Sequence, residues 1–439
     1  MSPNIRPLEV ARSLVDRVIK ASRLDTATRD AVLAYASSYG SLSGCVVIAF
    51  GKGAVSMVKG LLDAGVEPSG GIVVIPRGSS ARGFSGLEVL EASHPVPDES
   101  SLRAGEAVIE WARSSRGSCS VFLVSGGGSS LVEKPVESLG LGDLVEATRL
   151  LINSGASIIE VNTVRKHLSE VKGGRLAEVA YPSRLAGFYA SDVPGDRIDA
   201  IASGPTVPDP TTYSDAINVL ELYGLTESVP ESVLKVLEEG SQGLRPETPK
   251  PGSEVFKRAF NKVIARNIDV LEHLREVLEE WGYRVLVLTS RLEGESRHVG
   301  YVLASLTMES LERGYPLEPP AAILAGGETT VTVRGKGRGG RNMELALAWG
   351  IYLSGWGVSD EAAILAMDTD GIDGFTEYAG AVLEPRMIRE ARLRGVDPAQ
   401  ELANNNSLHV LEKVGALVKT GPTGSNLNSV IAVIVGSPG

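Results

Sequence analysis

What most constrains this chain is a recurring join. A short, unbroken apolar run stops on a turn rich in glycine or aspartate, and an amphipathic stretch follows. Residues 45–50, CVVIAF, stop at Gly51-Lys52-Gly53 and pass into AVSMVKGLLDAG. Residues 120–125, SVFLVS, stop at Gly126-Gly127-Gly128-Ser129-Ser130, and RLAGFYASD at 184–192 stops at Val193-Pro194-Gly195-Asp196. GIVVIPRG at 71–78 and LEVLEA at 87–92 belong to the same series, the latter followed by SHPVPDES and the helically spaced SLRAGEAVIEWARSS. Strands buried on both faces read as continuous apolar runs. Strand, turn, helix, strand is the pattern of a parallel sheet covered by helices. The chain is therefore read as α/β.

At 439 residues it is too long for one ordinary domain. Residues 241–254, SQGLRPETPKPGSE, combine Pro, Gly, Ser and charge without apolar periodicity and are the linker expected from composition. That places two α/β domains at 1–250 and 251–439. Beyond the linker the alternation resumes with YRVLVLTS (283–290), AAILAGGE (321–328), VTVRG (331–335), EAAILAMDTDG (361–371) and SVIAVIVG (429–436).

Composition excludes several classes. With 43% hydrophobic and 22% charged residues the chain has the apolar content to bury a core. A net charge of -11 repels nucleic acid and anionic membrane, so neither is expected as a partner, and any phosphate site must be a local cluster. No run approaches the length of a membrane span, and MSPNIRPLEVARSLVDRVIK has no apolar segment of a secretory leader, so a cytoplasmic protein is expected. Cys45 and Cys119 sit in or beside apolar runs and read as buried thiols rather than a disulfide. Gln242 and Gln400 are the only glutamines, which leans toward a thermophilic source.

In open parallel sheets ligands bind beyond the carboxyl ends of the strands, where these turns fall. Gly51-Lys52-Gly53 opens a helix, so its amides and the helix dipole suit an anion, with Lys52 adding a charge; a tight turn with an exposed lysine fits equally. Ser56 stands where the dinucleotide fingerprint needs its third glycine. Ser125-Gly126-Gly127-Gly128-Ser129-Ser130 offers amides and hydroxyls at a close backbone approach, which suits a polyphosphate or a carboxylate; it lacks the Lys-Ser/Thr of a P-loop. NTVRKHLSEVKGGRLA (162–177) gathers Arg165, Lys166, Lys172 and Arg175, with Arg165 and Lys172 on one helical face until Gly173-Gly174 stops the helix. Asp192 and Asp196 lie four apart in a turn that serves either a divalent cation or Asx-turn chemistry. Arg338 and Arg341 lie in GRGGRNME, three acids in Asp368-Thr369-Asp370-Gly371-Ile372-Asp373, and hydroxyls in TGPTGSN. No nucleophile–base pair is evident: His94 precedes Pro95 in a loop, and His167 lies in the basic stretch. Lysine, arginine, glycine turns and paired aspartates fit a reaction of positioning and charge neutralisation, as phosphoryl transfer is.

FGKGA, SHPVPDE, SGGGSS, NTVRKHLSEVKGGRLA, SDVPGDR, ASGPTVPDP, GGETTVTV, GRGGRNMELAL, DTDGIDG and TGPTGSN occur in this order from about residue 10 onward. Together they resemble the glycerate 2-kinases that carry a C-terminal domain named multi-organism fragment with rich leucine (MOFRL). The resemblance implies a larger N-terminal Rossmann-like α/β/α sandwich and a smaller C-terminal α/β domain, with the active site in the cleft between them. It implies transfer of phosphate from ATP to the C2 hydroxyl of D-glycerate, with Mg²⁺ or another divalent cation, by a monomer or homodimer. The family's active-site lysine and arginine fall on Lys52 and Arg341. To these we add Gly51, Gly53, Ser125, Gly126, Gly127, Gly128, Ser129 and Lys172 for the nucleotide, and Asp192 and Asp196 for the metal. Ser93, Arg197 and Ser429 depart from the family pattern, and Arg197 removes an acid from the metal loop. Such sequences also look like NAD(P)H-dependent hydroxypyruvate reductases, the alternative reading; a non-catalytic nucleotide sensor would keep the glycine turns but would not need both Lys52 and Arg341.

Overall fold

A computed structural model describes residues 6–79 and 84–436. Residues 1–5, part of the segment read for a leader, lie outside these. The chain forms two compact units. The first is Leu24–Ala265; the second joins the N-terminal residues up to Arg23 to Arg266 and everything after it.

The sheet of the first unit holds β1 (Val46–Phe50), β2 (Gly70–Pro76), β3 (Leu87–Ala92), β4 (Cys119–Val124), β5 (Arg184–Ala190) and β6 (Ala259–Ala265). Their order is β3-β2-β1-β4-β5-β6, parallel throughout. Sequential strands add outward on one side of β1 and then on the other, so the order reverses between β1 and β4. A crevice must open there, because the crossover helices leave toward opposite faces. β1 is buried along its whole length and β4 from Ser120 on. Ile48, Phe50, Ile72, Val74, Phe122 and Val124 meet Val108 and Leu176 of the covering helices in the main core. A helical satellite core gathers Leu144, Leu151, Val164, Tyr213, Leu220 and Leu237.

The expected linker is not one. Residues 241–254 fold onto the first unit: Thr248, buried, donates to Asp209, Lys250 pairs with Glu247, and Arg245 with Glu239. The first unit ends only after β6, so the boundary near residue 250 falls inside it. Residues 6–23, expected with the first domain, belong to the second unit. The helix Pro7–Ala21 buries Leu8, Val10, Ala11, Leu14 and Val18 there, and Arg17 lies over the Trp281 ring.

The two cysteines form a disulfide, Cys45–Cys119, against the expectation of free thiols. Cys45 leads into β1 and Cys119 opens β4. These are neighbouring parallel strands, so the two Cα atoms stand 4.8 Å apart.

The sheet of the second unit is mixed. β7 (Arg284–Leu292), β8 (Ala321–Gly327), β9 (Ala362–Asp368), β10 (Gly380–Leu383), β11 (Leu417–Val418) and β12 (Ser429–Val435) take the order β11-β10-β9-β12-β8-β7. Only β7 and β8 pair in parallel; the other neighbours are antiparallel. VTVRG at 331–335 is no strand: the amides of Arg334 and Gly335 go to the Asn405 side chain, which accepts from both. The core centres on the helix Arg341–Gly355, whose Trp349 is fully buried and donates to Thr307 at 3.1 Å. No helix among the described residues is long and apolar enough to cross a membrane.

Candidate active site

In the first unit the turns after β1 and β4 lie side by side at the point of strand-order reversal. They are stitched together by backbone. Lys52 N–H donates to the Gly126 carbonyl at 2.9 Å, Gly53 N–H to Ser125 Oγ at 2.9 Å, and Ser125 N–H to the Phe50 carbonyl at 3.1 Å. Gly51 has φ +121°, and a Cβ on it would collide with Ser125, so glycine is the residue that lets the two turns touch. Gly51, Lys52, Gly53, Ser125, Gly126, Gly127, Gly128 and Ser129 thus form one contiguous pair of turns, of which Lys52, Gly127 and Ser129 are partly exposed. Among the described residues the amides of Gly126 and Gly127 donate to no protein acceptor. Unengaged amides beside a lysine at a strand-end crevice are the donor set an anionic ligand needs.

His94, which the sequence left in a loop, belongs to this surface. Gly127 (φ +81°) has no side chain to hold the neighbours apart: a Cβ there would lie 3.0 Å from His94 Cδ2 and 3.3 Å from Lys52 Cγ. Burial, and then the charge of Lys52, push the His94 imidazole down to about 4, so it is neutral at physiological pH.

A buried ionic layer supports the Gly-rich turn. Arg165 donates to the Ser129 carbonyl at 2.9 Å and lies 3.8 Å from Glu133. Lys172 is paired with Glu133 at 2.9 Å and donates to the Val132 carbonyl. Burial pulls the Lys172 ammonium down to about 8, against the pull of Glu133. Lys172 is 1% exposed, so in this structure it faces the interior and not a nucleotide; that expectation is corrected. Nor do Arg165 and Lys172 share a helix: the helix Ile158–His167 ends before Lys172, and a new one, Arg175–Ala180, starts after Gly174. Both still converge on Glu133. Ser129 Oγ bonds Ser203 Oγ at 2.8 Å, and Ser203, held at φ 58°, donates to Asn162.

Asp192 and Asp196 sit in the turn after β5, both half-buried, with Asp196 at φ 56°. Arg197 turns aside to pair with Asp199 at 2.7 Å. Among the described residues no three His, Cys, Asp or Glu side chains are gathered as a metal cage.

The second unit holds Arg341 at the first position of its helix. The guanidinium pairs with Glu328, which follows β8, and with Asp368, which ends β9, and its Nε donates to Ser429 Oγ at 3.2 Å. Burial would lower its pKa, but the two carboxylates outweigh this and raise it further. The start of the helix is capped from afar: Asp373 accepts from the amides of Asn342 at 3.2 Å and Met343 at 2.9 Å. Burial pushes the Asp373 carboxyl up to about 7.

Residues 10–238 match a family described as a domain of unknown function (DUF4147), and residues 321–429 match the MOFRL family. The glycerate 2-kinase of Pyrococcus horikoshii is 42% identical to this chain over 393 residues, 89% of this chain and 87% of its own. The chain belongs to the glycerate 2-kinase family. The crystal structure of a glycerate kinase from Thermotoga maritima matches it with a TM-score of 0.87 at 38% identity, over 98% of this chain and 99% of that one. An Agrobacterium vitis protein named provisionally as a hydroxypyruvate reductase is 40% identical over 89% of this chain and 87% of its own. Within the glycerate 2-kinase family frame, sequence motifs led to Lys52 and Arg341. His94, Glu133 and Glu328 were missed. Glu133 did leave a signal, as a lone acid inside LVEKPV.

Proposed function

We propose that this glycerate 2-kinase family member transfers the terminal phosphoryl group of ATP to the 2-hydroxyl of D-glycerate, giving 2-phosphoglycerate and ADP. The observation that carries the reading is the pairing of the Gly51-Lys52-Gly53 and Ser125–Ser130 turns at the strand-order reversal, with open amides beside Lys52. Such a surface binds and neutralises anions. Phosphoryl transfer asks for little else, since a loose transition state develops little charge on the attacking oxygen.

Lys52 neutralises charge on the transferring group or the glycerate carboxylate. Arg341, a planar fork, grips a carboxylate or phosphoryl oxygens. With the carboxylate held by a cation, the adjacent C2 oxygen stands nearer that cation than the C3 oxygen does, which favours attack from C2. The carboxylates of Asp192 and Asp196 are the hard oxygen donors that magnesium takes, and one or two suffice beside ATP phosphates. Asp192 and Asp196 would hold the cation, which would supply charge neutralisation at the ATP phosphates.

The first unit's strand order also serves dinucleotides, so NAD(P)H-dependent reduction of hydroxypyruvate is the second reading. Ser56 in the fingerprint speaks against it. For NADH so does Arg77, which follows β2 where the ribose of that cofactor would seek an acid. One preparation tests both. ADP release with glycerate, ATP and Mg²⁺, and a 2-phosphoglycerate signal in ³¹P NMR, are expected. A 3-phosphoglycerate signal refutes the carboxylate-clamp argument, and NADH or NADPH oxidation with hydroxypyruvate but no ADP release overturns the kinase reading.

A further inference from the structure

We propose that His94 is a specificity-determining residue of this site: its imidazole accepts the hydrogen bond of a glycerate hydroxyl while Lys52 takes a neighbouring anionic group. The inference rests on the kinase reading above and adds the group that recognises the polyol half of the substrate.

The surface around Gly127 is one-sided. The Lys52 ammonium and the amides of Gly126 and Gly127 can only donate. They suit carboxylate and phosphate oxygens. Glycerate also carries two hydroxyls, and a hydroxyl held among donors alone leaves its own proton unplaced, at the cost of an unsatisfied polar group. A carboxylate would accept that proton but would repel the anions bound alongside. A neutral imidazole accepts without that repulsion. His94 meets the requirement: its Cδ2–Nε2 edge lies against Gly127 beside the Lys52 stem, and among the described residues it has no hydrogen-bond partner in the protein. Half-burial and the nearby ammonium keep it uncharged well below neutral pH, so the acceptor persists there.

The test compares wild type, His94→Leu and His94→Gln, using glycerate as substrate and propionate, which lacks both hydroxyls, as a competitive probe. Binding of glycerate should weaken about 10-fold or more in His94→Leu, the usual loss for an unmatched buried hydrogen bond. Propionate inhibition and the KM for ATP should stay within a factor of two or so of wild type. His94→Gln, with its carbonyl acceptor, should recover part of the loss. Equal weakening of propionate and glycerate, or unchanged glycerate affinity in His94→Leu, overturns the proposal. If wild type itself fails to phosphorylate glycerate, it is the kinase reading that falls.

Discussion

Arg341 and Asp368 form an ion pair in which the carboxylate is almost wholly buried and the guanidinium retains about a quarter of its exposure. Removing the arginine therefore leaves a buried charge behind. Arg341→Ala should destabilise the second unit by about 2–4 kcal/mol, the lower end favoured because the guanidinium touches water. It should also abolish most turnover. Arg341→Lys keeps the charge but cannot span Glu328, Asp368 and Ser429 together. It should fail nearly as badly in kcat while losing less stability. Arg341→Ala with Asp368→Asn separates the two effects: calorimetry should show stability recovered, and the kinase assay should show activity still absent.

Lys52→Ala should cost about 10²–10³ in rate, the usual loss for one charge-stabilising group. Lys52 is partly exposed, and its backbone amide bonds the Gly126 carbonyl whatever the side chain, so this tie between the turns survives the substitution. Turnover within a few-fold of wild type at normal substrate affinity would remove Lys52 from the chemistry.

The same variant reports on His94. Its imidazole is pushed down from 6.5 to about 4, by burial first and Lys52 second. In an NMR titration it should therefore stay neutral through pH 5, and Lys52→Ala should raise its pKa without restoring 6.5. The sign for stability follows. Between pH 4 and 6.5 the unfolded chain binds a proton that the folded one refuses, so this group's contribution is lost as pH falls through that window. An ordinary value near 6.5 in wild type would contradict the burial described.

Gly127→Ala is expected to be disproportionately harmful for one added methyl. It sets an L side chain at φ +81° and drives a Cβ against both His94 and Lys52. Kinetics should show a rise in KM and a fall in kcat together, with the fold retained by circular dichroism. Near-normal kinetics would show that the turn yields freely.

The Cys45–Cys119 bridge closes a loop spanning 74 positions. On the chain-entropy account that is worth about 4 kcal/mol, mostly by restricting the unfolded chain. Reduction, or Cys45→Ala with Cys119→Ala, should lower the melting temperature of the first unit by several degrees and leave kcat unchanged. No thermal shift on reduction would mean the thiols do not pair in solution.

Elements whose burial is uniform were legible in the sequence; those whose character comes from a partner were not. β1, β4 and β12 are unbroken apolar runs and announce themselves. β6, AFNKVIA, is a half-buried edge strand carrying Asn261 and Lys262, and its pattern fits neither strand nor helix. VTVRG has strand composition, yet its amides went to Asn405. The cysteine pair and the place of His94 both depend on which strands become neighbours, and strand order is set by tertiary packing. Asp373 read only as one of three acids after a strand, whereas its carboxylate is taken by the amides of Asn342 and Met343.

The second unit is discontinuous: the segment ending at Arg23 and the segment starting at Arg266 flank the whole of the first. During synthesis the helix Pro7–Ala21 precedes the whole first unit, but β9 and β12, which pack against it, are translated only after that unit. At ~5–20 residues per second the ribosome needs some tens of seconds to reach them. For that interval an apolar helix face waits in solvent while a complete parallel sheet folds behind it. A nascent chain of this design depends on whatever shields that helix, and its vulnerability to aggregation is greatest while β9 and β12 are still untranslated.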